Sequence, residues 1–512
     1  MNYRLSCPDI ATKLIKVSFD TTIPEKGELT FSLPSWRPGR YELGNFARNI
    51  LHFKAEIVSN PNLNPPPHLG RLGGVEKGHR NSWIIKGNPG EVSQISYSYF
   101  ANRLDAGSCF VSEDLFYINP VHLLMYIPGT ENDSCELQIN IPDNFIVNTA
   151  LPQISKNLFS AKSFHQLVDS PVIASPNLQE YYFSSGPDAG DTSDKDEVNF
   201  KISIYGKHNL SENTILSDFE DFSEKQMELF GGIPLNGDSS GKREYHFLFI
   251  FTEEKFHHGV EHCNSTVIAL GPGLELNDGA GYDELLSISS HELFHTWNVK
   301  SIRPVEMMPY DYSKENYSKL TAVAEGATTY YGDLILLRSG VFNETQYFTA
   351  FNKYIQKHFE NPGRFNLSLA DSAFDMWVDG YGEAVPGRRV SIYTEGCLNT
   401  WHLDRMIREA TSNNYSFDHV MRTMYERFGR KAIGYSETDY KNIIEEIAGK
   451  SFDDYFQNYF YGVKNDESLI KETADYFGCE LVIEGTNYLI KKMDTPSMFQ
   501  KNNFADWVDG NC

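Results

Sequence analysis

Two histidines four positions apart, with a glutamate directly after the first, constrain this chain more than any other feature: His291, Glu292 and His295. In a helix, residues i and i+4 lie on one face, so both imidazoles can reach a single metal ion. Apolar side chains recur around the motif with helical spacing, and Asp283 and Glu284 suit the first turn. The pattern predicts a metal-binding helix. Taken alone, it also fits a helix with two structural histidines.

A catalytic zinc ion needs a third protein ligand and one open coordination position. Glu325 lies in a second apolar segment, rich in small residues, which is predicted to form a helix over residues 320–337 and to end before Gly340. An unpaired buried carboxylate is costly, so we interpret Glu325 as the third ligand. Glu292 would take a proton from water activated by the metal. The sequence therefore predicts one Zn²⁺ per chain, held by two histidines and one glutamate.

The distribution of predicted strands and helices indicates an α+β multidomain fold. Segments such as 14–19 and 92–100 show the alternation of half-buried strands, and prolines and glycines separate them. We predict an N-terminal β-sandwich over residues 1–177. Residues 178–465 begin with strands, become mainly helical and are predicted to form the catalytic domain, with a mixed sheet lobe and a helical lobe. Residues 466–512 contain one strand-like stretch and are predicted to be a C-terminal tail.

Composition and charge narrow the possible partners. The chain has 69 acidic against 45 basic residues and a formal net charge of −24, which argues against binding to nucleic acid or to anionic membranes. No apolar run approaches the roughly 20 residues of a membrane span. The N-terminus lacks a secretory leader, so we expect a cytoplasmic protein, or a periplasmic or secreted one if a leader has been removed. Neither the composition nor the motifs indicate an oligomeric state.

Longer stretches around the two predicted helices match a known family. Residues 291–304, with the sequence HELFHTWNVKSIRP, closely resemble the signature of the glycyl aminopeptidase family of zinc metallopeptidases, and residues 324–331 resemble its third-ligand helix. Further similar stretches are residues 34–41, 45–49, 259–265, 372–377 and 393–396. The resemblance covers residues 1 to about 465. It implies a gluzincin-type, thermolysin-like catalytic domain behind an N-terminal β domain.

The resemblance also implies roles for residues outside the metal-binding helices. It places Glu261 at a strand edge along the substrate cleft, where a carboxylate suits the free α-amino group of a peptide. It makes Tyr393 a hydrogen-bond donor to the oxyanion of the reaction. Asp333 and Glu395 are candidate partners for the ligand histidines. Family members usually carry a PDZ domain after the catalytic domain, and residues 466–512 are too few for one, so we expect a short or truncated member.

These expectations combine into a function. We expect a zinc-dependent aminopeptidase that hydrolyses the first bond of peptides with a free N-terminus, and the resemblance implies a preference for N-terminal Gly or Ala. Two alternatives stay open from the residues alone. One is a zinc endopeptidase with an open cleft, and the other is a non-catalytic peptide-binding protein on a peptidase fold.

Overall fold

A computed structural model of the chain describes residues 1–59, 71–72, 74–186, 197–235, 243–277, 279–382 and 385–510. The first part is rich in strands and the later part is mainly helical, so the predicted α+β order is confirmed. No helix within the described ranges is both long enough and apolar enough to cross a membrane.

The N-terminal part consists of several β-sheets. Its strands are β1 (Asn2–Ser6), β2 (Leu14–Thr22), β3 (Glu28–Ser32), β4 (Ile50–Ser59), β5 (Arg71–Leu72), β6 (Gly74–Lys77), β7 (Ser82–Lys86), β8 (Val92–Phe100), β9 (Phe110–Val111), β10 (Phe116–Ile118), β11 (Cys135–Asn140), β12 (Ile146–Asn148), β13 (Gln153–Ser155), β14 (Leu158–Ala161) and β15 (Val172–Ser175). The largest sheet has the order β13-β14-β11-β1-β2-β8-β4-β5, and smaller sheets have the orders β3-β7-β6 and β12-β15-β10-β9.

Alternating side chains hold these sheets together. In β2, Ile15, Val17 and Phe19 point inward and are fully buried, while the residues between them are at least partly accessible. The Phe19 ring lies 5.3 Å from the ring of Phe31, which belongs to β3 of a different sheet. The core of this part therefore lies between sheets, as in a sandwich.

A separate, mixed sheet forms one wall of the region that contains the predicted metal ligands. Its strands are β16 (Gln179–Ser185), β17 (Val198–Tyr205), β18 (Arg243–Phe251), β19 (Phe256–Glu261) and β20 (Ser265–Gly271). They have the order β16-β17-β18-β20-β19, in which β17, β18 and β20 run parallel and β19 runs antiparallel to β20. Every residue of β20 is buried, which explains its apolar run from Val267 to Leu270. Strand β19 lies at the edge of the sheet.

Helices make up most of the remaining chain. They are α1 (Phe164–Val168), α2 (Glu212–Phe230), α3 (Gly279–Phe294), α4 (Thr321–Arg338), α5 (Glu344–Glu360), α6 (Leu369–Phe374), α7 (Met376–Asp379), α8 (Thr394–Thr411), α9 (Phe417–Met424), α10 (Glu437–Ala448), α11 (Asp453–Tyr455), α12 (Glu467–Tyr476) and α13 (Met498–Asp509). Helix α4 is buried at every residue from Thr321 to Leu337, so it is the central helix of this part.

The last segment, residues 466–510, is folded, although the sequence indicated only one strand-like stretch and a polar tail. Helix α12 leads into a hairpin of β21 (Cys479–Glu484) and β22 (Asn487–Lys492), and α13 follows. Trp507 of α13 is 1% exposed, and its indole nitrogen donates a hydrogen bond to the Tyr330 hydroxyl at 2.7 Å. Arg338 donates to the Trp507 carbonyl oxygen. These contacts attach the segment to the buried helix α4.

We predict that Trp507→Ala lowers the free energy of unfolding by about 3–5 kcal/mol, the usual range for removing a large buried aromatic side chain. The matched control is Phe499→Ala in the same helix, because Phe499 is 62% exposed; it should change the free energy of unfolding by less than about 1 kcal/mol. Denaturant unfolding monitored by fluorescence and circular dichroism measures both. Equal effects of the two substitutions would contradict the anchoring role of Trp507.

Candidate active site

The two motif histidines come together at the C-terminal end of α3. Leu285, Leu286 and Leu293 are buried on this helix, as the predicted apolar stripe requires. The Nε2 atoms of His291 and His295 lie 3.0 Å apart. The Nδ1 atom of His295 is 2.7 Å from the carbonyl oxygen of Asn298, which fixes the ring orientation and leaves Nε2 facing the cavity.

Glu325 of α4 completes the predicted ligand set. Its Oε2 atom lies 3.4 Å from Nε2 of His295 and 3.9 Å from Nε2 of His291. Tetrahedral zinc with bonds of about 2.0–2.1 Å separates its ligand atoms by roughly 3.3 Å, so these distances fit a zinc ion. The two imidazoles and the carboxylate also form the donor set that zinc prefers. The structure thus brings together the three residues that the sequence predicted as ligands.

Close packing between helices explains how α4 and α8 reach the same cavity. A Cβ atom on Gly326 would lie only 2.3 Å from the Cα atom of Gly396, so any side chain there would push the two helices apart. Gly326 follows Glu325 directly, and Gly396 lies three positions after Tyr393. The two glycines therefore bring the Tyr393 side chain close to the metal ligands, and its ring centroid lies 6.4 Å from that of His291.

Tyr41 is a site residue that the sequence motifs did not single out. Its hydroxyl donates a hydrogen bond to Oε1 of Glu325 at 2.6 Å, and its side chain is 2% exposed. Burial raises the pKa of Tyr41 well above its usual value, and the nearby Glu325 charge raises it further, so the hydroxyl keeps its proton. The similar stretch 34–41 contains Tyr41, but only the tertiary contact identifies its partner.

Two further glutamates face the same cavity. Glu261 at the end of β19 and Glu292 of α3 are both buried, and together with His295 they offer ligand atoms within 4.8 Å of one another. Neither Oε1 of Glu261 nor Oε2 of Glu292 has a hydrogen-bond partner among the described residues. Burial raises the pKa of Glu292 to about 8, and the charges of Glu261 and Glu325 contribute to the rise. The cavity therefore contains two carboxylate oxygen atoms that can pair with a cation or accept a hydrogen bond from a ligand.

This environment lowers the pKa of His291 and raises the pKa of His295. Burial lowers the pKa of His291 well below its usual value, and the neighbouring His295 lowers it further. Burial also lowers the pKa of His295, but the carboxylates of Glu325, Glu261 and Glu292 together raise it to about 9. The site thus attracts one positive charge at the point where the three ligand atoms meet, and metal binding would displace a proton there.

Asp333 and Glu395, which were predicted to contact the ligand histidines, have other hydrogen-bond partners. Asp333 accepts a hydrogen bond from the Tyr354 hydroxyl at 3.3 Å, and Glu395 lies 2.9 Å from Nδ1 of His358. The Nε2 atom of that imidazole is 3.2 Å from Asp466. Burial lowers the pKa of His358, but Glu395 and Asp466 raise it to about 9, so a charged imidazole joins α5, α8 and the start of the last segment.

A charged contact also joins the N-terminal part to the metal-binding helix. Lys300, just after α3, donates to Asp169 at 2.8 Å, and His262 lies 3.1 Å from the same carboxylate. Burial raises the pKa of Asp169, but the Lys300 ammonium and the hydrogen bonds from His262 and Cys263 together lower it by more and keep the carboxylate charged. His262, next to Glu261, therefore packs against Asp169 and does not point at the metal ligands.

Comparison with sequence families gives two matches. A model of the M61 glycyl aminopeptidase family matches residues 284–399, and a model of the peptidase M61 N-terminal domain matches residues 2–176. Together these ranges make up more than half of the chain. The chain belongs to the M61 peptidase family. It is a metallo-aminopeptidase by class, as the resemblance implied. A search of curated proteins found no match.

Solved structures share the fold of this M61 peptidase. An aminopeptidase N family protein from Idiomarina loihiensis is 23% identical, with a TM-score of 0.84, and the match covers 97% of this chain and 82% of the other. An M1 zinc metallopeptidase from Deinococcus radiodurans is 11% identical, with a TM-score of 0.53 and coverage of 91% and 94%. A mutant of that enzyme bound to a Tyr-Ser-Ala substrate matches equally well. These likenesses confirm the predicted α+β architecture.

The contact from Tyr41 generates a prediction about the metal. In Tyr41→Phe the hydrogen bond to Glu325 is lost, and we expect zinc affinity to fall by about 10-fold or more, the usual effect of removing a group that orients a ligand. Competition with a chelator of known affinity measures this directly. Tyr415→Phe is the control, because Tyr415 is 46% exposed. Unchanged zinc affinity in Tyr41→Phe would contradict the proposed orientation of Glu325.

Proposed function

We propose that this M61 peptidase is a zinc aminopeptidase that removes the first residue of peptides and prefers Gly or Ala there. The observation that carries the proposal is the grouping of three buried carboxylates, those of Glu261, Glu292 and Glu325, around two imidazoles in one cavity. Three negative charges buried together are unfavourable unless cations compensate them. One divalent zinc ion and one substrate ammonium group supply the matching positive charge.

The ligands that would hold zinc are His291, His295 and Glu325, one ion per chain. When bound there, zinc supplies a Lewis acid that polarises the scissile carbonyl and lowers the pKa of water. Glu292, whose Oε2 atom has no partner within the described part of the chain, takes the proton of the attacking water and passes it to the leaving amine. Tyr393 keeps its proton because burial raises its pKa well above the usual value, so it donates a hydrogen bond to the developing oxyanion.

The N-terminal part supports removal of a single residue over internal cleavage. A Cβ atom on Gly39 would lie 2.3 Å from Oε2 of Glu261, so the backbone at Gly39 closes directly over that carboxylate. A peptide whose amino group binds Glu261 would have no room for residues further upstream. Glu261 thereby sets the cleavage position at one residue, which favours the aminopeptidase over the endopeptidase with an open cleft.

The preference for a small first residue is supported by the family and by crowding near the site. Tyr41 and Tyr393 both lie beside Glu325, and the Tyr381 hydroxyl is 3.4 Å from that of Tyr393. Three tyrosines packed beside Glu325, of which Tyr393 lines the cavity, leave little space for a large side chain on the first substrate residue. A panel of aminoacyl anilides measures this preference.

We predict that a chelator abolishes activity and that added zinc restores it. Glu292→Gln should retain one zinc ion per chain but lose about 10²–10⁴-fold in kcat, because the general base is removed and the ligands are not. Elemental analysis and release of glycine from a glycyl anilide provide the two measurements. Activity that survives in Glu292→Gln with zinc bound would exclude Glu292 as the base.

Substrate selection gives a separate prediction for Glu261. Glu261→Gln should lower kcat/KM for peptides with a free amino group by about 10-fold or more, since a charge-assisted hydrogen bond is lost. Glu254→Gln, at an exposed position before β19, is the control. The wild type should not cleave N-acetylated peptides. Equal cleavage of free and acetylated peptides by the wild type would favour the endopeptidase.

A further inference from the structure

The cavity at the metal ligands extends well beyond them. It has a volume of about 340 Å³, and its wall includes His257, Tyr354 and Lys357 as well as the residues already described. Lys357 lies in the last turn of α5, which contributes no residue to the proposed chemistry. A positively charged side chain thus lines the cavity of a chain whose net charge is −24.

Residues along strand β19 mark the two ends of this cavity. Glu261, the proposed anchor of the substrate amine, lies at its C-terminal end. Gly259, two residues earlier, approaches Glu292 so closely that a Cβ atom would lie 2.2 Å from the Glu292 Oε1 atom. His257 is two residues further along. A peptide with its amino group at Glu261 would extend past the proposed base toward His257, with the part that follows the cleaved bond near His257.

Lys357 is located at this far end. His257 and Lys357 both line the cavity. Burial lowers the pKa of His257, and the charges of Lys353 and Lys357 are close enough to His257 to lower it further. Lys353, one turn earlier in α5, pairs with Glu284 at 4.0 Å. Lys357 has no carboxylate within 4 Å among the described residues, and its side chain is exposed to the cavity. Its charge is therefore available to a ligand.

The separation of the two ends matches a short peptide. Glu261 lies four positions after His257 in β19, which corresponds to roughly 13 Å at about 3.3 Å per residue. An extended tripeptide spans about 10 Å. A tripeptide held at Glu261 would therefore end close to His257, which lines the cavity together with Lys357.

We propose that Lys357 binds a carboxylate on the third residue of the substrate, so that this site selects short peptides with a free C-terminus. The same carboxylate chemistry is supplied by an acidic side chain at the third position of a longer peptide. The proposal rests on the proposed aminopeptidase function, because Glu261 must hold the amine for the distance argument to apply.

The test compares release of glycine from Gly-Ala-Ala with release from its C-terminal amide, for the zinc-loaded full chain. Gly-Ala-Glu-Ala-Ala-amide and the corresponding glutamine peptide test the acidic side chain. The variants are Lys357→Met, Lys357→Glu and, as the matched control, Lys353→Met. We expect the wild type to favour the free acid by about 10-fold in kcat/KM, mainly through KM, as one charge-assisted hydrogen bond predicts.

The variants should separate a binding role from a structural one. In Lys357→Met the ratio of acid to amide should fall to about one, and in Lys357→Glu the amide should be preferred, which a merely unstable variant would not produce. Lys353→Met should keep the wild-type ratio. A preference that appears only between the glutamate and glutamine pentapeptides, and that Lys357→Met removes, would assign the carboxylate to the side chain of a longer peptide.

Two results would overturn the inference in distinguishable ways. If the wild type releases glycine equally from acids and amides and from both pentapeptides, or if its preference persists in Lys357→Met, Lys357 binds no substrate carboxylate and the aminopeptidase function stands. If the zinc-loaded wild type releases glycine from none of these peptides, the proposed function fails and this inference fails with it.

Discussion

The structure around the active site depends on burying negative charge. Glu261, Glu292 and Glu325 share one cavity, and their desolvation would be prohibitive without positive charge to balance it. The raised pKa values of Glu292 and His295 express the same imbalance: each group takes up a proton that compensates the surplus. In the proposed function, a divalent ion and a substrate ammonium group would replace those protons, which would link metal binding, substrate binding and catalysis to one electrostatic condition.

Several elements hold these groups in place. Helix α3 presents both imidazoles, and α4 brings Glu325 opposite them because Gly326 and Gly396 permit close helix packing. The carbonyl of Asn298 fixes one imidazole, while its amide donates to the carbonyl of Ala324, directly before Glu325. Asn298 thus helps to position both His295 and Glu325, the predicted ligands from two different parts of the chain.

The parts before and after the central helices are not independent additions. The N-terminal β domain supplies Tyr41 to Glu325 and closes the cavity at Gly39. The last segment packs Trp507 against α4 and places Asp466 on the charged imidazole of His358. The contacts of Tyr41, Gly39 and Trp507 reach Glu325, Glu261 and helix α4, so the positions of site residues depend on segments before and after the central helices.

The sequence by itself determined the helix that carries His291 and His295, its buried apolar stripe, the burial of Glu325 and the succession from strands to helices, because hydrophobic spacing reports burial along a single element. The predicted roles of Tyr393 and Glu261 came from family resemblance. Only the tertiary structure decided that Tyr41 contacts Glu325, 284 positions away, and that Asp333 and Glu395 serve other partners. Such pairings depend on how helices cross and which domain closes over the cavity, and no local pattern encodes them.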